Sequence, residues 1–208
     1  RIVDNRPQAA EYTGDKGYRF KDVMAGTVTK EEYIAQLTVE DLICMSIEDA
    51  ICDGVSVLEG SVDIGFVKHC NNDVDSLLAL IERIQLKYKD QIDFRPELGL
   101  GKLFDKKCLN KWVIPLLEGK VFKSMDLYGP EVEDGLEDFK KFYECAGKLG
   151  IKRKAHVGEF SDATSVKYFI DYFDLQEVQH GIGAAKDDKV LQFLKDKNIR
   201  LNITPESN

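Results

Sequence analysis

The sequence is short of the features that mark specialised architectures. No apolar run is long enough to cross a bilayer, so no membrane span is expected. The five cysteines, Cys44, Cys52, Cys70, Cys108 and Cys145, are odd in number and include no CxxC pair. That spacing argues against a disulfide framework or a structural zinc site and fits reduced thiols in the cytoplasm. Bases are outnumbered, 29 Lys and Arg against 37 Asp and Glu, and the net charge of -8 argues against a nucleic-acid backbone as partner. The opening RIVDNRPQAAEYTGDKG lacks the apolar core of a signal peptide and also an initiator methionine, so the natural start is expected upstream. Histidine occurs only three times, which makes the place of each one informative.

What is present is an alternation. With 208 residues, 43% hydrophobic and 32% charged, the chain is expected to form one soluble domain over residues 1–208, residues 1–52 being a helical lead-in. TVTKEEYIAQLT and VEDLICMSIEDAI carry helical spacing, each opened by a threonine with an acid three residues later, as in a capping box. Strands are predicted in GVSVLEGSVDI, QIDFRPELG, VFKSMDLYG, KRKAHVGE, LQEVQHGIG and IRLNITPESN. Helices are predicted between them in NDVDSLLALIERIQLKYKD, KKCLNKWVIPLLEG, LEDFKKFYECAGKLG, DATSVKYFIDYF and KDDKVLQFLKDKN. Strands alternating with helices imply an α/β protein with a parallel sheet.

An open doubly wound sheet and a barrel both satisfy that alternation. Asp126 with Gly129, His156 with Glu159, His180, and Ser207 with Asn208 fall at the carboxyl ends of different predicted strands, where a (β/α)8 barrel collects its functional groups. GLGK, from Gly99, does not keep the GxGxxG spacing and follows a middle strand, so it is read as a loop. The acidic run EVEDGLED, residues 131–138, is read as a helix amino terminus complementing the helix dipole. His69, in KHC, is read as an ordinary hydrogen-bonded histidine. Lys154 shares strand parity with His156 and is expected to point inward, paired with Asp126 or Glu59.

The stretch KAHVGEF is the chemical centre of the sequence. A histidine at the end of an apolar run, then a glycine and a glutamate, supplies an ion ligand and a proton-moving acid, the two groups that metal-assisted hydrolysis needs. HVGE, followed by QHG at the next strand end and TPESN at the one after, resembles the adenosine deaminase branch of the metal-dependent amidohydrolases. That family shows His-Ala-Gly-Glu, Gly-His-Gly and Cys-Pro-x-Ser-Asn in this order. DLYGPE is similar to its Asp-Leu-x-Gly-x-Glu segment, so the likeness runs from about residue 53 to the end.

The resemblance implies a (β/α)8 TIM-type barrel with about six of its eight strands in this chain. It also implies zinc-dependent hydrolytic deamination of a purine nucleoside, adenosine to inosine and ammonia being the first expectation. It makes His156 a metal ligand, Glu159 the acid that protonates a purine ring nitrogen, and His180 the residue that orients the attacking water. Gly129 becomes a point of close approach between base and backbone, and Asp126 a further substrate contact. Gln179 stands where the family has glycine and Thr204 where it has cysteine, so the substrate-facing shape is expected to differ there. The family's His-x-His and paired aspartates are not in this sequence; they are expected in flanking segments of a longer protein, without which the fragment is expected to be inactive. Two other readings stay open: deamination of another amino-purine or a modified nucleoside, and a non-catalytic barrel that binds a purine or a partner.

Overall fold

The computed structural model describes residues 12–204, which fall into two compact units, one ending at Asp53 and the other beginning at Gly54. The first unit holds α1 (Phe20–Met24), α2 (Lys30–Ala35) and α3 (Val39–Cys52). Thr29 and Thr38 cap α2 and α3 reciprocally, as predicted. Each hydroxyl accepts the N–H of the acid three residues on, Glu32 or Asp41, and that acid accepts the threonine's own N–H. α1 lies in a segment read from the sequence as a polar lead-in; it is one short turn started by Asp22, which accepts the N–H of Arg19. The buried Gln36 accepts the N–H groups of Lys16 and Tyr18 and donates to the Tyr18 carbonyl, fastening the chain before α1 to the end of α2.

The second unit alternates strand and helix: β1 (Val57–Asp63), α4 (Phe66–His69), α5 (Val74–Tyr88), β2 (Asp93–Gly101), α6 (Lys106–Glu118), β3 (Ser124–Tyr128) and α7 (Glu137–Lys148). It continues with β4 (Lys152–Val157), α8 (Ala163–Phe173), β5 (Glu177–His180), a 3-10 turn (Ile182–Lys186), α9 (Asp188–Asp196) and β6 (Arg200–Asn202). Every neighbouring pair is parallel and the order is β1-β2-β3-β4-β5-β6, a curled part of a (β/α)8 barrel, as expected. Asp73, Asp105, Asp162 and Asp187 start α5, α6, α8 and α9 by accepting backbone N–H groups of the first turn.

Side chains alternate between two environments along each strand. Val62, Leu98, Leu100, Met125, Leu127, Ala155, Val157 and Val178 are buried on one face, and the apolar stripes of α5 and α6, such as Leu77, Ile81, Val113 and Leu117, are buried with them. The other face, turned into the barrel, carries Glu59, Glu97, Ser124, Lys154 and Glu177 in one layer, with Asp126, His156 and Gln179 nearer the carboxyl ends. The catalytic candidates therefore stand above a charged layer.

The structure departs from the sequence reading at β2, at two short helical turns and at the end of the last strand. GLG, residues 99–101, is the end of β2 and not a loop: a Cβ at Gly99 would lie 2.6 Å from Ser61 Oγ and 3.2 Å from the Tyr128 ring, so glycine makes room between strands. α4, on which His69 is exposed, and the 3-10 turn are each too short for periodicity to register. The last strand closes at Asn202, and the Ser207 and Asn208 named from the sequence lie outside the described residues. Among the described residues, no helix is long and apolar enough to cross a membrane.

Candidate active site

A cleft of about 410 Å3 opens at the carboxyl ends of these strands. β4 brings His156 to it and β5 brings His180, with 5.2 Å between ring centroids. Asp126, from the neighbouring β3 and only 1% exposed, sets Oδ2 2.8 Å from His156 Nδ1. Burial pushes the imidazole's pKa down, but the adjacent Asp126 carboxylate, with Glu97 and Glu159 beyond it, holds it above 6.5. The other Asp126 oxygen, Oδ1, is buried and has no hydrogen-bond partner among the described residues.

His180 ends β5 with φ of 69°, a left-handed conformation that costs a residue with a Cβ about 1–2 kcal/mol. Contacts on both ring edges hold it there: Nδ1 lies 3.0 Å from Thr204 Oγ1 and Nε2 lies 3.4 Å from Glu159 Oε2. Gly129 follows β3 with φ of 114°, so its own backbone conformation calls for glycine.

Two features escaped the sequence reading. Tyr128 sits edge-on to His156, with 6.2 Å between ring centroids, and donates its hydroxyl to Asp63. Burial and that carboxylate together push the phenol well above its usual pKa. The only sequence signal was a bulky aromatic in the DLYG turn beside the glycines at 99 and 101. Glu131 is the second. It was assigned with its acidic run to a helix start, yet α7 begins only at Glu137, and the Glu131 carboxylate instead accepts the N–H groups of Gly158, Glu159, Phe160 and Ser161 and the Ser161 hydroxyl. Burial raises its pKa, but the bonds from Ser161, Gly158 and Glu159 outweigh this and hold the carboxyl below 4.5.

Lys154 does point inward, with its amine 2.5 Å from Glu59, 2.9 Å from Glu97 and 3.3 Å from Glu177. Glu59 was expected. Asp126 is not a partner, because its carboxylate is turned to His156 one layer up.

A parallel barrel sheet that gathers imidazoles and carboxylates in one cleft at its carboxyl edge defines a TIM-barrel protein with the groups hydrolytic chemistry uses. Comparison with known proteins narrows that class. The chain resembles the adenosine deaminase family: the model described as "Adenosine deaminase" matches residues 107–208. Over 183 residues it is 44% identical to a Treponema pallidum protein named as an adenosine/adenine deaminase, covering 88% of this chain and 61% of that one. The chain thus spans about three fifths of that relative's length. The fold is shared with an adenine deaminase from Arthrobacter aurescens (TM-score 0.67, 19% identity, 81% of this chain and 54% of that one). It is shared also with an amidohydrolase from Burkholderia ambifaria solved with bound Zn (TM-score 0.65, 17% identity, 79% and 47%).

His156 has the character of a ligand, since metal-binding histidines have a carboxylate behind the second ring nitrogen and the orphaned Asp126 oxygen lies beside it. Among the described residues, however, no group of three His, Cys, Asp or Glu converges to hold an ion. They fit one corner of a metal centre and not a complete one.

Proposed function

We propose that this chain is part of a metal-dependent aminohydrolase that releases ammonia from an amino-purine, adenosine being the first candidate. One observation carries the reading: the His156–Asp126 pair and His180 line a single cleft at the ends of β3, β4 and β5, and Glu159 lies at its margin, 3.4 Å from His180. In the reaction, water adds to the ring carbon that bears the amino group, ammonia leaves, and the ring keeps the oxygen as a carbonyl. The ion we assign is zinc, held in part by His156, and when bound it supplies Lewis acidity that makes water a nucleophile at neutral pH.

The chain's own residues then have distinct tasks. Glu159 delivers a proton to the ring nitrogen beside the attacked carbon. His180, with Nδ1 tied to Thr204, turns its Nε2 edge toward Glu159 and the cleft, where it orients the water and takes up its proton. Asp126 suits a role behind His156 better than a substrate contact, because it is buried against Nδ1 and so leaves Nε2 for the ion. Gly129 leaves space for the base at the β3 turn.

The test is Glu159→Gln in the full-length protein, assayed at steady state on adenosine, adenine and other amino-purines. Glutamine keeps the shape but cannot give the proton, so turnover should fall about 10²- to 10⁴-fold with metal content unchanged. Turnover near wild type would remove Glu159 from the mechanism. A metal-replete wild type that converts none of these purines would overturn the deaminase reading in favour of a purine-binding barrel.

A further inference from the structure

We propose that Glu131 is a positioning residue for Glu159: from the loop after β3 its carboxylate fixes the backbone of residues 158–161 and thereby decides which side chain of the next loop faces the cleft. The inference rests on the reading of Glu159 as proton donor. Oε2 accepts the N–H of Gly158 at 2.8 Å and of Ser161 at 2.9 Å, together with the Ser161 hydroxyl. Oε1 accepts the N–H of Glu159 at 3.0 Å and of Phe160 at 3.4 Å. Four consecutive amides turned to one point form the concave surface that elsewhere binds anions; here the protein supplies the anion itself.

The consequence falls on two adjacent side chains. Glu159 is turned inward, 18% exposed and 3.4 Å from His180 Nε2, while Phe160 is 82% exposed. With both amides held, the two cannot exchange places without breaking the clamp. The far side of the loop is equally confined: Gly158 has φ of 79°, and a Cβ there would lie 2.5 Å from Val166 Cγ2 and 3.0 Å from the Gly181 backbone. Glu131 is itself held, because Lys102 at the end of β2 donates to the carbonyls of Pro130 and Val132 on either side of it. Position is thus passed across three successive strand ends to the acid.

Glu131→Gln tests this, since it keeps the size but turns an NH2 group toward amide donors. In the full-length protein kcat should fall about 10²-fold, the loss that a shift of about 1 Å in a reacting group brings. KM and metal content should hold, and amides 158–161 should exchange hydrogen faster. A variant that melts earlier while its folded fraction keeps normal kcat overturns the proposal, as does normal kcat with those amides exchanging freely. Glu159→Gln separates the two readings: if it retains turnover, the proton-donor assignment fails, and if it is inactive while Glu131→Gln is active, only the present inference fails. Should Glu131→Gln not fold, Glu131→Asp, which withdraws the carboxylate by one methylene, carries the same readouts.

Discussion

Lys154 places one buried ammonium among three carboxylates. Burial alone would lower its pKa, but Glu59, Glu97 and Glu177 raise it above 10.5, so it stays charged throughout the physiological range. One cation does not satisfy all three acids: burial and the charge of Asp126 still lift Glu97 above 4.5. Lys152, 2.5 Å from Glu177, and Ser124, which donates to Glu97 at 2.9 Å, share the load. Removing the ammonium would leave Glu97 and Glu177, 4% and 5% exposed at the side chain, without the cation buried between them, and Glu97 facing the charge of Asp126. Lys154→Met should therefore cost about 3–5 kcal/mol in urea unfolding of the full-length protein, as for other broken buried ion pairs. A loss below about 1 kcal/mol would mean the layer is hydrated and the argument wrong. The inward direction of Lys154 was legible from its parity with His156, and so was one partner, Glu59. Glu97 and Glu177 were not, because they depend on which strands adjoin and in what register: Lys154 stands opposite Glu177, and Glu97 opposite Ser124.

At the scale of elements, the capping boxes at Thr29 and Thr38 could be read directly, because cap and acid are three residues apart in the same segment. The Glu131 clamp could not, since its donors lie 27 to 30 residues away. The clamp also has an expected acid response. Glu131 has a folded pKa below its ordinary 4.5, so its contribution is complete above that value and is lost as pH falls through the lower folded value. The facing cation does not alter the sign: burial pushes the Lys102 amine down to about 8, and it remains protonated in acid. Protection of amides 158–161, measured by hydrogen exchange relative to the amides of β3, should hold from neutrality to pH 4.5 and fail below it. A decline already complete above 4.5 would show that another group governs the loop.

At the scale of the molecule, the alternation that defined the fold class was legible because each strand and helix carries its own pattern, and the carboxyl-end placement of His156, Glu159 and His180 followed from it. Of the polar interior face, a linear reading revealed Lys154 and Glu59 but not Glu97, Ser124 and Glu177. Among the described residues, each strand after β1 pairs with the strand made just before it. Seen as a matter of timing, this means that each of β2 to β6 finds its template already in place as it emerges from the ribosome. Structure can then accrue in the order of synthesis, with the His156–Asp126 pair possible once β4 is out and the Glu159–His180 pair only after β5. Nascent chains halted after β4 should protect the β1–β3 amides from hydrogen exchange. If those amides stay unprotected until β6 has emerged, the sheet forms in one late concerted step instead.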